Sequence, residues 1–216
     1  MDSVDGMDAS TRRHLSEFRH ACAAQDAGRE DRLDRWRNLE EDSAEVLGVL
    51  ARASRAGAIL ELGTSNGYST CWLADAARDT GAGVVSVELE ADRTERAREL
   101  LGQVGLADHV ELVVADAGSH LRAVASGSVD LVFLDAERGA YVGYWPDLQR
   151  VLAATGTLVV DNVVSHADEV AEFVGLVASA GWCLSVVPTG AGVLVATRGA
   201  GWGAPTSSDV DTPRHG

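Results

Sequence analysis

The sequence predicts an α/β protein built on a doubly wound, mixed, seven-stranded sheet, and three observations support this. From Ser43 onward, short apolar runs bounded by Gly, Asp or Ser alternate with stretches of helical periodicity, which is typical of a sheet with crossover helices. The first apolar run, 58–62, leads through Gly63 and Gly67 directly into a helix. The last two runs are joined only by the loop 188–192. That loop is too short for a crossover helix, so the last strand is expected to be antiparallel.

The individual elements follow from these runs in chain order. A helix is predicted from Ser43, where apolar residues recur at helical spacing, and it ends at Arg55–Gly57. The predicted strands are 58–62, 84–88, 110–114, 129–134, 157–161, 183–187 and 193–197. The predicted helices between them are 68–78, 91–104, 142–153 and 167–180.

Two regions outside the core domain are expected to be less regular. Residues 1–42 are predicted to form an N-terminal helical extension, in which the polar stretch 7–40 makes one or two exposed helices outside the core. The bulky residues that could anchor them are Leu15, Phe18, Leu33, Trp36 and Leu39. Residues 199–216 are rich in Gly, Ala, Pro, Ser, Thr and Asp and are predicted to be a disordered tail. The core domain is therefore predicted to be 43–198.

Composition and charge narrow the classes of function. The 216 residues, 46% of them hydrophobic, suit one domain with a substantial core. With 33 acidic against 18 basic residues and a formal charge of −15, the surface repels nucleic acid and anionic membranes, so neither is an expected partner. No charged-then-apolar leader opens the chain and no apolar run reaches membrane-spanning length, so we expect a cytoplasmic protein.

Five carboxylates fall at or just beyond the ends of predicted strands. They are Glu61, Glu88, Asp116, Asp135 and Asp161. Because parallel strands bring their carboxyl ends to one edge of a sheet, where ligands of such folds bind, these residues predict an electronegative crevice. Such a crevice would repel the pyrophosphate of a dinucleotide, but it would accept a metal ion or the sulfonium and ammonium groups of S-adenosylmethionine. Each carboxylate taken singly could instead cap a helix or lie in a solvated loop.

The spacing after the first strand argues against dedicated phosphate binding. Gly63 and Gly67 are four residues apart rather than in the G-x-G-x-x-G pattern, and no P-loop lysine follows. Glu88 ends the second strand about 25 residues after the turn, where an acidic side chain commonly accepts hydrogen bonds from ribose hydroxyls. Asp116 lies beyond the third strand, where an adenine amino group could be met.

From about residue 43 to 198 the chain resembles the cation-dependent O-methyltransferases related to catechol and caffeoyl-coenzyme A O-methyltransferases. The segment Glu61–Thr70 is similar to that family's first cofactor motif. Further matches in order and spacing are Val87–Glu88, Ala115–Ala117, Val129–Ala136, Tyr141 with Tyr144, and Gly156–Val163. The resemblance implies the class I methyltransferase fold and S-adenosylmethionine as co-substrate. Members of the family often dimerise, so a homodimer is one option.

The resemblance also implies which residues bind. The methionine moiety of the cofactor would be held by Glu61, Gly63, Thr64, Gly67, Tyr68 and Ser69. Glu88 would bind the ribose, Asp116 and Ala117 would meet the adenine edge, and Asp135 would also border the cofactor. The residues that match the family's metal site are Asp135, Asp161 and Asn162. These are hard oxygen donors suited to Mg²⁺ or another divalent cation, although Asp and Asn are also ordinary turn residues after a strand.

One departure from the family pattern bears on the chemistry. The family places a lysine three residues after the first metal-binding aspartate, Asp135, whereas this chain has Arg138 there. Arginine stays protonated and cannot act as a base, so Arg138 would stabilise an oxyanion or grip an acceptor carboxylate, or else form an exposed salt bridge. His166, five residues beyond Asp161, is a candidate general base or acceptor contact, or a lone surface histidine. The candidate catalytic residues are Asp135, Arg138 and His166.

These observations favour an S-adenosylmethionine-dependent O-methyltransferase that acts on a small, phenolic acceptor. A divalent cation would chelate the acceptor and lower the pKa of its hydroxyl. Three alternatives stay open. A metal-independent methyltransferase would use Arg138 and His166 to bind and activate the acceptor, and a cofactor-binding protein without catalysis would keep only the crevice. A nicotinamide-dependent oxidoreductase has Gly63, Gly67 and Glu88 in its favour, but the acidic crevice argues against it.

Overall fold

The computed structural model describes residues 6–31 and 34–198, and its centre is a seven-stranded sheet. The strands are β1 (Ala58–Leu62), β2 (Gly83–Glu88), β3 (Val110–Val114), β4 (Val129–Leu134), β5 (Leu152–Val160), β6 (Cys183–Val187) and β7 (Val193–Thr197). Their order across the sheet is β3-β2-β1-β4-β5-β7-β6. The first five strands run parallel, and β7 is antiparallel to both β5 and β6. The predicted doubly wound mixed sheet is confirmed.

Helices cover both faces of this sheet. In the part of the chain that the structure describes, the α-helices are α1 (Ala9–Asp26), α2 (Glu41–Ala53), α3 (Tyr68–Thr80), α4 (Ala91–Gln103), α5 (Ala117–Ala123), α6 (Tyr141–Val151) and α7 (Ala167–Ser179). Two short 3₁₀ helices, Ala107–His109 and Arg138–Ala140, precede β3 and α6. Residues of α1 to α4 join one apolar cluster and residues of α5 to α7 join the other, as crossover connections between parallel strands require.

Most predicted elements agree closely with the observed ones, and two differ. β5 begins at Leu152 rather than at 157, because α6 ends directly before it and the strand enters the sheet with an irregularity opposite Val129–Leu131. α5 is not among the predicted helices, because its seven residues are too few to show helical periodicity. Its start is set locally, because Oδ1 of Asp116 accepts the N–H of Ser119 at 2.8 Å.

Apolar side chains fill both faces of the central strands, because successive strand residues point to opposite sides. In β1, Ile59 belongs to the cluster of α1 to α4, whereas Leu60 and Leu62 belong to the cluster of α5 to α7. β4 divides in the same way, with Phe133 on the first side and Leu134 on the second. Burial on both faces is expected at the centre of a parallel sheet. β1 and β4 are therefore firm supports for the residues that follow them.

Among residues 6–31 and 34–40, the N-terminal region contains one helix, and the residues outside that helix are irregular. α1 begins after Asp8, whose carboxylate accepts the N–H groups of Ser10 and Thr11 at 3.0 Å. Leu15 on α1 and Leu39 in the segment that follows are both buried in the cluster that contains Ile59 of β1. Most other residues of α1 are exposed, so the region packs on the core through Leu15 and Leu39, two of the anchors that the sequence predicts.

Two sequence predictions fall on residues that the structure does not describe, the anchor Leu33 and the tail 199–216. Among residues 6–31 and 34–198, no helix is both long and apolar enough to cross a bilayer. α2 begins at Glu41, two residues before the predicted start of the core domain. The division into an N-terminal extension and a core domain stays a prediction.

The turn after β1 depends on two glycines in backbone conformations that other residues rarely adopt. Gly63 has a φ of +105° and Gly67 a φ of +88°. A Cβ on Gly63 would overlap the carbonyl oxygen of Asp135, and one on Gly67 would lie 2.8 Å from the Cα of Ala97 on α4. The two glycines therefore let the turn pack against the chain after β4 and against α4. This packing places the start of α3 at the carboxyl edge of the sheet.

Gly63→Ala should destabilise the protein more than a control glycine substitution. At Gly63 the added methyl group meets backbone atoms of Asp135, and the residue must also keep its positive φ. Gly105→Ala keeps a φ of +69° but has nothing within 4 Å of its Cβ, so it isolates a conformational cost of ~1 kcal/mol. We expect Gly63→Ala to lower the free energy of unfolding, measured with urea, by ~2 kcal/mol more than Gly105→Ala. Equal losses would contradict the close packing of the turn.

Candidate active site

The carboxyl ends of β2, β1, β4 and β5 lie side by side at one edge of the sheet. Glu88 is the last residue of β2, the glycine turn follows β1, and Asp135 and Asp161 follow β4 and β5. The N–H of Asp135 donates to the carbonyl of Leu62 at 3.0 Å, and the N–H of Asp161 donates to the carbonyl of Leu134 at 3.4 Å. The sheet ladder thus continues through both aspartates and fixes the positions of their backbones.

Asn162 connects Asp135 and Asp161 at this edge, and we call these three residues the carboxylate cluster. Nδ2 of Asn162 donates to Oδ1 of Asp135 at 3.2 Å and to Oδ2 of Asp161 at 2.8 Å. Asn162 has a φ of +66°, which asparagine tolerates better than most residues. Asp161 is 2% exposed, and its buried Oδ1 has no hydrogen-bond partner among residues 6–31 and 34–198. A donor or a cation at that oxygen would be stabilising, because an unpaired buried polar atom is costly.

Both aspartates are difficult to ionise in this structure. Burial raises the pKa of Asp135 well above its ordinary value, and the charge of Asp161 raises it further. Burial also raises the pKa of Asp161, and the charges of Glu40 and Asp42 add to that effect. The guanidinium of Arg138 lowers both pKa values. Both pKa values are nevertheless raised overall, so this positive charge does not offset the burial of the two carboxylates.

Arg138, which stands where the family has a lysine, is buried. It begins the short 3₁₀ helix before α6 and is 5% exposed. Its Nε donates to Oε2 of Glu169, in the first turn of α7, at 2.8 Å. This ion pair connects the chain after β4 to the helix after β5. Arg138 does form a salt bridge. The expectation that it would be exposed is wrong for the guanidinium, which is buried beside the carboxylate cluster.

His166 is connected to the carboxylate cluster through one hydroxyl group. Its Nδ1 lies 2.9 Å from Oγ of Ser165, and that Oγ donates to Oδ1 of Asn162 at 3.3 Å. The backbone N–H of His166 donates to the carbonyl of Asn162 at 3.0 Å. His166 is half-buried and belongs to this network, so the lone surface histidine considered from the sequence does not describe it. Its catalytic role stays a prediction.

Glu61 points into the protein and not into the crevice. It is fully buried, at 0% exposure, and its carboxylate accepts the hydroxyls of Ser69 at 2.6 Å, Thr70 at 2.5 Å and Ser86 at 2.5 Å. The hydroxyls of Ser86 and Thr64 are 2.6 Å apart. This network joins β1, β2, the glycine turn and α3. Burial raises the pKa of Glu61 to about 7, although the three hydroxyls oppose the shift.

The other predicted cofactor residues lie along the same edge. Glu88 accepts the N–H of Ser65 at 2.8 Å through one oxygen, and the N–H groups of the next two residues at 2.9 and 3.1 Å through the other. Asp116 is the N-cap of α5, which begins at Ala117. Its Oδ1 accepts the N–H and the hydroxyl of Ser119. Tyr68 begins α3 and has a buried hydroxyl without a hydrogen-bond partner. Contacts of these residues, and of Glu61, with a cofactor stay predictions.

A short segment before α2, residues 35–37, crosses the glycine turn, and the sequence analysis did not place it at the site. Oγ of Ser65 donates to the carbonyl of Trp36 at 3.0 Å, and Arg93 on α4 donates to the carbonyl of Arg35 at 3.3 Å. The sequence predicts only a packing role for Trp36. Contacts between an irregular segment and a distant turn leave no periodic signal, so hydrophobic pattern could not have revealed them.

A cavity of about 700 Å³ lies elsewhere, at the amino edge of the same sheet. Ala58, Gly83, Val110 and Val129, which begin four parallel strands, line it. None of the predicted catalytic, cofactor-binding or metal-binding residues lines it. Because ligands of parallel sheets bind beyond the carboxyl ends of the strands, we place the candidate active site at the opposite edge.

Glu61→Gln should remove a pH dependence of stability. The pKa of Glu61 is about 7 in the folded chain against an ordinary 4.5, so the folded state keeps a proton that the unfolded state releases between these values. The stability from this group is complete below pH ~4.5 and is lost as the pH rises through ~7, on the order of 3 kcal/mol. We expect the unfolding free energy of wild type to fall relative to that of Glu61→Gln over this range in urea titrations. Parallel pH curves would contradict the assignment.

Comparisons with known proteins agree with this geometry. A family model described as a methyltransferase domain matches residues 60–163, which include the glycine turn, Glu88, Asp135 and Asp161. A catechol O-methyltransferase of Mycobacterium tuberculosis is 38% identical to this chain over 152 residues, which make up 70% of this chain and 67% of that protein.

Solved structures share the architecture. The crystal structure of cofactor-bound Rv0187 from MTB has 31% sequence identity and a TM-score of 0.71, covering 90% of this chain and 92% of that one. The O-methyltransferase from Bacillus cereus in complex with SAH has a TM-score of 0.72 at 23% identity, covering 92% and 94%, which shows a common fold. This chain therefore belongs to the class I S-adenosylmethionine-dependent O-methyltransferases, in the family that contains the catechol O-methyltransferases.

Proposed function

We propose that this protein transfers the methyl group of S-adenosylmethionine to a hydroxyl of a small phenolic acceptor, assisted by a divalent cation. The observation that carries the proposal is the carboxylate cluster beside the glycine turn. Asp135 and Asp161 are forced together with raised pKa values, and one oxygen of Asp161 is buried without a partner. Carboxylates in such surroundings cost stability and are concentrated at functional sites.

The cofactor is proposed to lie along the carboxyl edge, across the turn after β1. Its methionine moiety would contact Gly63, Thr64, Gly67, Tyr68 and Ser69, with Asp135 beside it. The ribose would meet Glu88, whose carboxylate is held in place by three backbone N–H groups. Asp116 and Ala117 would meet the adenine. Glu61 would act indirectly, because it holds the hydroxyl of Ser69 at 2.6 Å.

The residues present fit a hard divalent cation such as Mg²⁺. Asp135 and Asp161 would supply carboxylate oxygens, and Oδ1 of Asp161 has no competing partner. Asn162 would ligate through its amide oxygen. This requires the side-chain amide to flip, because Nδ2 and not Oδ1 now points to the two carboxylates. No three His, Cys, Asp or Glu side chains among the described residues are arranged to bind a metal ion together. The proposed site instead combines two carboxylates with one amide. A bound cation lowers the pKa of a coordinated hydroxyl.

The chain's own residues would mainly align the acceptor oxygen, the methyl carbon and the sulfur in a site with little water. Direct displacement of the methyl group needs no covalent intermediate on the enzyme. Arg138 cannot take a proton from the acceptor, because a guanidinium stays protonated. Its ion pair with Glu169 holds the charge next to Asp135 and Asp161, where it would stabilise a developing oxyanion.

His166 is proposed to accept the proton of the acceptor hydroxyl. Imidazole titrates near neutral pH, and the ring of His166 is oriented by the hydroxyl of Ser165 at 2.9 Å. Because Ser165 in turn donates to Asn162, the histidine is tied to the same loop as two of the proposed cation ligands. This arrangement would compensate for the absent family lysine.

Asp161→Asn should lower Mg²⁺-stimulated methyl transfer to catechol by at least about 100-fold, because it removes a charged ligand of the cation. Binding of S-adenosylhomocysteine, measured by calorimetry, should stay nearly unchanged, since Asp161 itself is not among the residues assigned to the cofactor. That binding also reports correct folding of the variant. Asp168→Asn is the matched control, because it makes the same charge change at an exposed residue in the first turn of α7, and it should keep full activity.

The same assay separates the competing functions. Transfer by wild type that persists in EDTA would favour the metal-independent enzyme that uses Arg138 and His166. Binding of S-adenosylhomocysteine without transfer to any catechol, hydroxycinnamate or hydroxybenzoate would favour a cofactor-binding protein without catalysis. Absence of binding would overturn the cofactor assignment, and undiminished turnover by Asp161→Asn would overturn the cation assignment.

A further inference from the structure

Most charged side chains around the carboxylate cluster already have partners. Arg138 pairs with Glu169, and Glu40 pairs with Arg19. Arg37 differs, because its guanidinium makes no hydrogen bond or ion pair with any residue in 6–31 and 34–198. The residue is exposed. In a chain with a formal charge of −15, an arginine beside an acidic site that pairs with no carboxylate of the described residues is available for a ligand.

The backbone of Arg37 is held in an unfavourable conformation. Its φ is +51°, which costs a residue other than glycine ~1 kcal/mol. Asp26, at the end of α1, holds this conformation in place, because its two oxygens accept the N–H of Trp36 at 2.8 Å and the N–H of Arg37 at 3.0 Å. Strain that is maintained by specific contacts is concentrated at functional sites.

Trp36 fixes the position of the segment in space. The guanidinium groups of Arg29 and Arg93 lie 4.9 and 5.4 Å from the centroid of its ring. Its Nε1 donates to Oε1 of Gln25 at 2.9 Å, and its carbonyl accepts the hydroxyl of Ser65 at 3.0 Å. Arg37 therefore projects from a rigid support directly beside the glycine turn.

This position brings the charge of Arg37 to Asp135. Gly63 of the turn packs on the carbonyl of Asp135, so a residue beside the turn is also beside the chain that carries this aspartate. Trp36 contacts Ser65 of this turn, and Arg37 follows Trp36 in the chain. Arg37 therefore lies at the border of the crevice in which the acceptor hydroxyl would be placed.

We propose that Arg37 selects acceptors that carry a carboxylate, by pairing with that carboxylate while the acceptor hydroxyl lies at the carboxylate cluster. The inference rests on the proposed methyl transfer to a phenolic hydroxyl and adds the class of acceptor. A guanidinium pairs with a carboxylate through two parallel hydrogen bonds, which fixes orientation as well as charge. The net negative charge of the protein would otherwise repel an anionic acceptor.

The test compares catechol with protocatechuate, which is a catechol that carries one carboxylate. Wild type and Arg37→Gln are assayed with both acceptors at saturating S-adenosylmethionine and Mg²⁺. We expect kcat/KM for protocatechuate to fall about tenfold or more in Arg37→Gln, while kcat/KM for catechol changes less than about twofold. Arg55→Gln is the matched control, because Arg55 is also exposed with a φ of +51° and lies before β1, at the opposite edge of the sheet.

Several results would overturn the inference. Equal losses for the two acceptors, or no loss for either, would show that Arg37 does not read the acceptor carboxylate. Weaker binding of S-adenosylhomocysteine to Arg37→Gln would assign the guanidinium to the carboxylate of the cofactor instead. If wild type methylates neither acceptor, both the proposed function and this inference fail. If Arg37→Gln and wild type methylate both acceptors with equal kcat/KM, only the inference fails and the proposed function stands.

Discussion

The candidate site depends on two carboxylates that are held side by side where water is scarce. Asp135 and Asp161 follow neighbouring parallel strands, and the hydrogen bonds of the sheet continue through their N–H groups, so the sheet fixes their separation. Burial raises both pKa values, and the charge of Asp161 raises that of Asp135 further. Asn162 donates to both carboxylates and the buried Arg138 lowers both pKa values. Oδ1 of Asp161 nevertheless has no hydrogen-bond partner among the described residues. A divalent cation would complete the arrangement.

The rest of the fold brings the cofactor-binding elements to this pair. Gly63 lets the turn after β1 approach the backbone of Asp135, so the predicted methionine site lies directly beside the carboxylate cluster. Glu61 then ties the turn to β2 and α3 through buried hydroxyls. The segment that carries Trp36 and Arg37 contacts the turn through a hydrogen bond from Ser65 to the carbonyl of Trp36. Cofactor, cation and acceptor would therefore meet within one rigid edge of the sheet.

The sequence predicts the parts of this site that depend on local pattern. The apolar runs place β1 and β4 correctly and the carboxyl end of β5 to within one residue, and the positions of Asp135 and Asp161 at one edge follow from parallel strand topology. Pattern does not show which way a buried polar side chain points, so Glu61 was expected in the crevice rather than in a hydroxyl network. It also cannot show contacts between distant irregular segments, which is why the place of Arg37 required the structure.

The central claim is that the carboxylate cluster is a cation site. The most direct test is a titration of the wild-type protein, saturated with S-adenosylhomocysteine, with Mn²⁺, followed by the loss of the electron paramagnetic resonance signal of the free ion. The account predicts one saturable Mn²⁺ site per chain that competes with Mg²⁺. A titration in which all added Mn²⁺ stays free would contradict it.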